Sequence, residues 1–272
     1  KYFDCSYNNI SSINLSNHTR LIQLKCVYSN ISSVDLSNCI NLKELDCSKN
    51  EISSINLSNC ADLPQFDKSI DNILSIDLSN CANLQYLSCG NNNISSIDLL
   101  NCVELQRCNC YNNNISSIYL LNCLELDCGN NNITSIDLSN CAKLAYCYCN
   151  NNNITSIELS KCVNLQKLDC SNNNISSIDL SKCINLQTFH CYNNNISRLI
   201  THNNTTDIIC HNSQITLLNF VKQSTYHNLI CNHLIISNKN TNLHKYLAKK
   251  YFNINESEDI KRTLLEQYSN LS

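Results

Sequence analysis

Residues 165–183 read LQKLDCSNNNISSIDLSKC, from Leu165 to Cys183. Slid along the chain, this stretch matches itself again and again. The Cys of its LxC segment serves as a ruler. That position falls at Cys5, Cys26, Cys47, Lys68, Cys89, Cys110, Cys128, Cys149, Cys170, Cys191, Cys210 and Cys231. The steps are 21 residues, except 18 between Cys110 and Cys128 and 19 between Cys191 and Cys210. A fixed period in this range marks a solenoid, in which each coil touches only its neighbours and one elongated core runs through them.

The unit is LxxLxCxxNxIxxIxLSxCxx, as in Leu42, Leu45, Cys47, Asn50, Ile52, Ile55, Leu57, Ser58 and Cys60. Around LxLxC, apolar and polar residues alternate as a half-buried strand requires. Leu45 and Cys47 point inward; Glu44, Asp46 and Ser48 point outward. The Asn two residues before the first Ile recurs as Asn8, Asn50, Asn92, Asn113, Asn131, Asn152, Asn173 and Asn194. Buried backbone groups at a corner need partners, and an amide supplies both donors and an acceptor. These residues read as a ladder bonding the turns of neighbouring coils. The flanking Asn172 and Asn174 tolerate left-handed backbone, which lets a chain punctuated only by Gly90, Gly129 and Pro64 turn so often. The ISSIDL half is expected to be extended, with Ile55 and Leu57 inward. Ser58, Ser79 or Ser139 then N-caps a short helical turn. One well-defined strand per coil is expected, with irregular or 3₁₀ structure behind it.

On these residues the chain resembles the leucine-rich repeat family, with Cys where Leu is usual at the third strand position. The resemblance spans about Phe3 to Ile236, nearly nine tenths of the 272 residues. The short unit looks more like the compact repeats of bacterial, internalin-like proteins than the longer, helix-bearing units of ribonuclease inhibitor. It implies an α/β-type repeat solenoid, with a parallel sheet on a concave face and an irregular convex side. It also implies an interaction scaffold for a protein partner that docks on the outward strand positions. By register these include Tyr86, Arg107, Tyr111, Tyr146, Tyr148, His190 and Tyr192, beside Asp46, Asp67, Asp127, Lys167 and Asp169. Tyr and Arg are the side chains enriched at binding hot spots. The bland alternative is an ordinary solvated sheet, Tyr having good strand propensity.

The regular heart is Cys89–Cys191. The coil at CLELDC, Cys123–Cys128, is three residues short and should tighten the back without breaking the strand ladder. The coil from Asp62 to Leu78 is degenerate: Lys68 stands in the Cys position, Asp71 in the Asn position, and Pro64 is close by. A buried Lys is costly unless paired, so local distortion or pairing with Asp67 or Asp71 is expected. The solenoid is assigned to residues 1–239 and a helical C-terminal cap to residues 240–272. In the cap, Leu243, Tyr246, Leu247 and Tyr251 share one helix face, and Ile260, Leu264, Leu265 and Tyr268 another. Asn255 and Glu258 form a capping pair. With no Met and with Lys1 entering in mid-repeat, the N-terminus is expected to be truncated.

The net charge of −3 gives no global basic field for nucleic acid or anionic membrane. No apolar run approaches the ~20 residues of a membrane span. Most of the 21 Cys fall on two repeat positions, the strand series above and Cys39, Cys60, Cys81, Cys102, Cys123, Cys141, Cys162 and Cys183. Buried thiols behave as small hydrophobes, and an odd total in this placement points to reduced thiols, hence cytoplasm or another reducing compartment. The Asn, Ile and Lys bias suggests an AT-rich genome, such as that of a giant virus or host-associated bacterium.

No catalytic residue, cofactor or metal is assigned. The CxC pairs Cys108/Cys110 and Cys147/Cys149 point both members into the core, unlike the convergent ligands of zinc. His190 and His211 face outward while the thiols face inward, so no nucleophile meets a base. Asp35, Asp77, Asp98, Asp137, Glu158 and Asp179 read as turn-bonding side chains rather than a calcium ribbon. Two rival roles remain open. One is a structural component of a larger assembly, such as a virion or cell-surface layer; the other is the recognition domain of a longer effector protein.

Overall fold

The computed structural model describes residues 1–67, 72–201, 205, 207–210, 217–220 and 228–230. By compactness the chain divides into Lys1–Ile235 and Ile236–Ser272. The predicted cap, Lys68, Asp71 and His211 lie outside the described residues.

Among the described residues twenty short strands, β1 to β20 in chain order, build two rows. The front row comes from the LxC segments: β1 (Tyr2–Asp4), β2 (Gln23–Lys25), β4 (Glu44–Asp46), β6 (Gln65–Asp67), β8 (Tyr86–Ser88) and β9 (Arg107–Asn109). It continues with β10 (Glu125–Asp127), β12 (Tyr146–Tyr148), β14 (Lys167–Asp169), β16 (Thr188–His190), β18 (Asp207–Ile209) and β20 (Asn228–Ile230). All pairing is parallel, so coil stacks on coil in one register, for example Leu126 on Cys147 on Leu168 on Phe189. That inward column is fully buried, as are the strand cysteines Cys128, Cys149 and Cys170. Each such aliphatic side chain contributes about 1.5–3 kcal/mol. The alternation read from the sequence is therefore the observed one.

The front row has one break, between β4 and β6. At the residue before the strand, Lys43 N–H donates to Ile22 C=O, and Gln85 N–H donates to Pro64 C=O. Pro64 occupies the equivalent position and has no N–H to give back to Lys43. The rung is lost there, leaving a three-stranded sheet (β1, β2, β4) beside a nine-stranded one (β6 to β20). Across the shortened coil the row is unbroken: Arg107, Cys108 and Asn109 pair with Glu125, Leu126 and Asp127. The deletion is absorbed behind the strand, as expected.

The ISSIDL segments go further than extended chain. They pair into a second row: β3 (Ser33–Asp35), β5 (Ser54–Asn56) and β7 (Ser75–Asp77); β11 (Ser135–Asp137) and β13 (Ser156–Glu158); β15 (Ser177–Asp179), β17 (Arg198–Thr201) and β19 (Leu217–Phe220). Val34, Ile55 and Ile76 point inward in register. Behind this row the chain returns through tight turns, such as Cys39 N–H to Leu36 C=O and Leu42 N–H to Cys39 C=O. The oxygen that caps them is not the serine hydroxyl. Asn56 Oδ1 accepts from Ser58 N–H at 3.0 Å, Asp77 from Ser79 at 3.0 Å, and Asp137 from Ser139 at 2.9 Å. The acidic series is thus consumed by its own turns, which holds Asp35, Asp137, Asp179 and Glu158 below the usual carboxylate range.

The asparagine ladder is built as a bond between coils. Asn152 Nδ2 donates to Cys128 C=O of the preceding coil at 3.0 Å and to Cys149 C=O of its own at 3.1 Å. Its Oδ1 accepts from Ile133 N–H at 3.0 Å. The pattern repeats at Asn173 and survives the deletion at Asn131, whose Oδ1 takes Ile115 N–H at 2.9 Å. Left-handed backbone falls on the first Asn of each triplet, including Asn151 (φ 54), Asn172 (φ 54) and Asn193 (φ 55). Asn174 does not adopt it. Neither glycine takes positive φ. They serve close approach instead: a Cβ on Gly129 would sit 2.9 Å from Asn150 Oδ1 and 3.2 Å from the Tyr111 ring.

Candidate functional site

The outward positions of the front sheet form two columns. In the first, Tyr86, Arg107, Glu125, Tyr146, Lys167, Thr188 and Asp207 lie side by side in register. In the second, Asn109, Asp127, Tyr148, Asp169 and His190 do the same. Five of the seven sequence-predicted residues, Tyr86, Arg107, Tyr146, Tyr148 and His190, therefore share one face. Tyr111 and Tyr192 lie past the strand ends, each directly after a ladder cysteine, where the chain has begun to turn. Tyr111 Oη accepts from Asn130 Nδ2 at 2.7 Å, which ties its ring to the rim of the sheet.

The face is knitted by contacts between neighbouring strands. Arg107 Nε lies 3.5 Å from Glu125 Oε2. Tyr146 Oη donates to Gln166 Oε1 at 3.2 Å, and Lys167 Nζ sits 5.1 Å from the centre of the Tyr148 ring. The ring's negative face attracts that ammonium. His190 stands between two carboxylates, with Nδ1 3.7 Å from Asp169 and Nε2 3.6 Å from Asp207. The two charges raise the imidazole's pKa, Asp169 contributing most, against the opposing effect of burial. Burial also opposes ionisation of Asp169, but His190 and Ser171 hold it below the usual range. Asp207 and Glu125 join the face without having been singled out. The sequence signal for both was the register itself, since each occupies the same place in the LxC segment as Tyr146.

The thiols do something the hydrophobic pattern did not announce. All cysteines among the described residues are 6% exposed or less. On the back, Cys60 Sγ donates to Leu36 C=O at 3.4 Å, Cys81 to Leu57 C=O at 3.3 Å, and Cys162 to Leu138 C=O at 3.6 Å. This second ladder is therefore a row of weak inter-coil hydrogen bonds as well as a filler. Burial, with neighbouring thiols and carboxylates, pushes Cys60, Cys81 and Cys162 up to about 12. They are held as protonated thiols, and the thiolate is the reactive form. Both members of the pairs Cys108/Cys110 and Cys147/Cys149 lie in the core. Among the described residues no group of His, Cys, Asp and Glu is arranged to hold a metal. Among the same residues no helix is long and apolar enough to cross a membrane.

Comparison with known proteins places this geometry. The model described as leucine-rich repeats, two copies, matches residues 148–182 and 163–205. No curated protein matches the sequence. Among solved structures, the functional domain of InlJ from Listeria monocytogenes, described as including a cysteine ladder, superposes with a TM-score of 0.58 at 21% identity. That match covers 87% of this chain and 54% of InlJ's, so the chain spans about half of that domain. YopM, a leucine-rich effector protein from Yersinia pestis, gives 0.58 at 17% identity, covering 86% of this chain and 78% of that one. TLR13, solved in complex with ssRNA13, gives 0.57 at 16% identity, covering 85% and 41%. At these identities the likeness is one of fold.

Proposed function

We propose that this leucine-rich repeat protein is a non-enzymatic scaffold that docks a protein partner on its front sheet. The leucine-rich repeat fold is commonly a protein–protein interaction scaffold. The observation that carries the reading here is the Tyr146–Tyr148 strand, with Tyr86 and Arg107 in the same column as Tyr146 and charged groups around it. Rigid aromatic side chains surrounded by polar ones are the composition of a binding hot spot. The buried, protonated thiols support the non-enzymatic part, since none among the described residues offers an accessible thiolate. TLR13 is solved with RNA, but carboxylates outnumber Lys and Arg on this chain's front sheet from β9 to β18, which favours a protein over a polyanion.

The test is a quantitative affinity purification comparing the unaltered chain with the Tyr146→Ala/Tyr148→Ala double variant. Recovery of the partner is expected to fall by roughly tenfold or more, the loss of two hot-spot residues. Equal recovery would move the site off this sheet.

The compartment is proposed to be a reducing one, since two rows of closely stacked thiols lie at the core. Titration with a thiol reagent in denaturant should label nearly all cysteines of freshly isolated protein. Recovery of few reactive thiols would place the protein in an oxidising environment.

A further inference from the structure

Each charged group on the front sheet from β9 to β18 has a counterpart, with one exception. Arg107 is engaged by Glu125, Lys167 by the Tyr148 ring, and Asp169 and Asp207 share His190. Asp127 is left. It accepts one hydrogen bond, from Gly129 N–H at 3.2 Å, and has no cation beside it among the described residues. It is half-buried, and burial together with the charges of Glu125 and Asp169 raises its pKa above the ordinary value. It sits in register with Tyr148, in the middle of the aromatic patch. That ring already holds an ammonium on its face, so this part of the sheet accepts cations. The back row differs: Asp35 and Asp77 make the same turn bond but are exposed, and no aromatic side chain lines the groove along β3, β5 and β7.

We propose that Asp127 anchors a Lys or Arg side chain of the docking partner, so that the partner presents a basic segment whose apolar neighbours cover Tyr146 and Tyr148. The inference rests on the front sheet being the docking face, and adds the chemistry of what docks. A cation placed there relieves a carboxylate that is repelled by two others and already partly desolvated. Phosphate groups would meet four carboxylates, Glu125, Asp127, Asp169 and Asp207, against Arg107 and Lys167, both engaged. The surface therefore selects against nucleic acid as well as for a basic chain.

The experiment uses the full chain and four labelled probes: a peptide of about twelve residues rich in Lys and Arg, its Glu and Ser counterparts, and a single-stranded RNA of similar length. Binding is read by fluorescence anisotropy at low and high salt. The basic peptide alone is expected to bind, more weakly as salt screens the charges, and to lose roughly tenfold in affinity on Asp127→Asn. Asp137→Asn, on the back row, should leave binding unchanged. The Asn variant keeps the acceptor for Gly129 N–H, as Asn109 does one coil earlier, where its Oδ1 takes Tyr111 N–H at 3.1 Å. Circular dichroism checks that both variants fold.

Binding of the basic peptide that ignores Asp127→Asn, equal binding of the Glu peptide or RNA, or no binding by any probe would overturn the proposal. Suppose instead that the Ser or Glu peptide binds and is lost on Tyr146→Ala/Tyr148→Ala. The charge inference then fails while the docking face stands. A basic peptide sensitive to Asp127→Asn but indifferent to the Tyr pair gives the reverse.

Discussion

The coils from Cys89 to Cys191 and those from Cys5 to Phe66 follow one backbone path with different side chains. In the central coils the left-handed corner is held by Asn91, Asn112, Asn130, Asn151, Asn172 and Asn193. Side chains at this corner also bond across coils, as in Asn112 Nδ2 to Asn91 Oδ1 at 3.0 Å and Asn193 Nδ2 to Asn172 Oδ1, while Asn130 donates to the Tyr111 hydroxyl. In the N-terminal coils the same corner carries Tyr7 (φ 58), Tyr28 (φ 51) and Lys49 (φ 57). Bulky residues are out of place at such angles. They are accompanied by a different interaction, the Tyr7 and Tyr28 rings stacked at 5.5 Å with Lys49 Nζ 4.6 Å over Tyr28. The inner ladder differs too. Asn92 to Asn194 are buried, Asn8 is exposed, and Ser29 takes one place with its hydroxyl on Cys5 C=O at 3.1 Å. The corner geometry is thus imposed by stacking on the neighbouring coil, and the residue there only sets how much strain is carried.

The largest test of that contrast removes a rung from each region. Asn152→Ala deletes the donors to Cys128, Cys149 and Asn150 and leaves Ile133 N–H without its acceptor, at a cost of about 3 kcal/mol. Ser29→Ala loses a single hydroxyl donor and should cost about 1 kcal/mol. Urea denaturation midpoints at unchanged m-value measure both. Equal losses would mean that the central ladder is no stronger than its N-terminal counterpart.

A finer test exchanges the corner residues. Asn151→Lys puts a side chain with a full Cβ penalty at φ 54 and should destabilise by about 1 kcal/mol. Lys49→Asn relieves the same strain but gives up the Tyr28 contact, about 0.5–1 kcal/mol at an exposed site. Its net effect should be close to zero. The asymmetry between the two exchanges is the prediction. A clear gain for Lys49→Asn would show that the aromatic stack contributes nothing, and a loss equal to that of Asn151→Lys would show that strain is not the issue.

Much of this was legible in the chain because a strand's side chains alternate strictly. Once Leu45 is inward, Glu44 and Asp46 are outward, and the same holds at Tyr146 and Tyr148. The second strand row was read only as extended backbone, since nothing in ISSIDL says that Ser54 will find Ser75 rather than water. The turn cap was misplaced on Ser58 because Asn56 and Ser58 are both good capping residues, and only the backbone angles choose between them. Tyr111 and Tyr192 were drawn into the strand by their parity, which persists one step beyond where pairing stops.

The sequence alone determined the period, which residues lie within a coil's interior, and which coil departs from the pattern; that the departure costs a rung at Pro64 came from the pairing of the strands. The sequence could not determine that Asp127 has no cation beside it among the described residues while Asp169 and Asp207 share His190. Periodicity fixes a residue's place within its own coil. Charge balance depends on which side chains the next coils bring alongside, at what distance and with how little water, and those are properties of the stack.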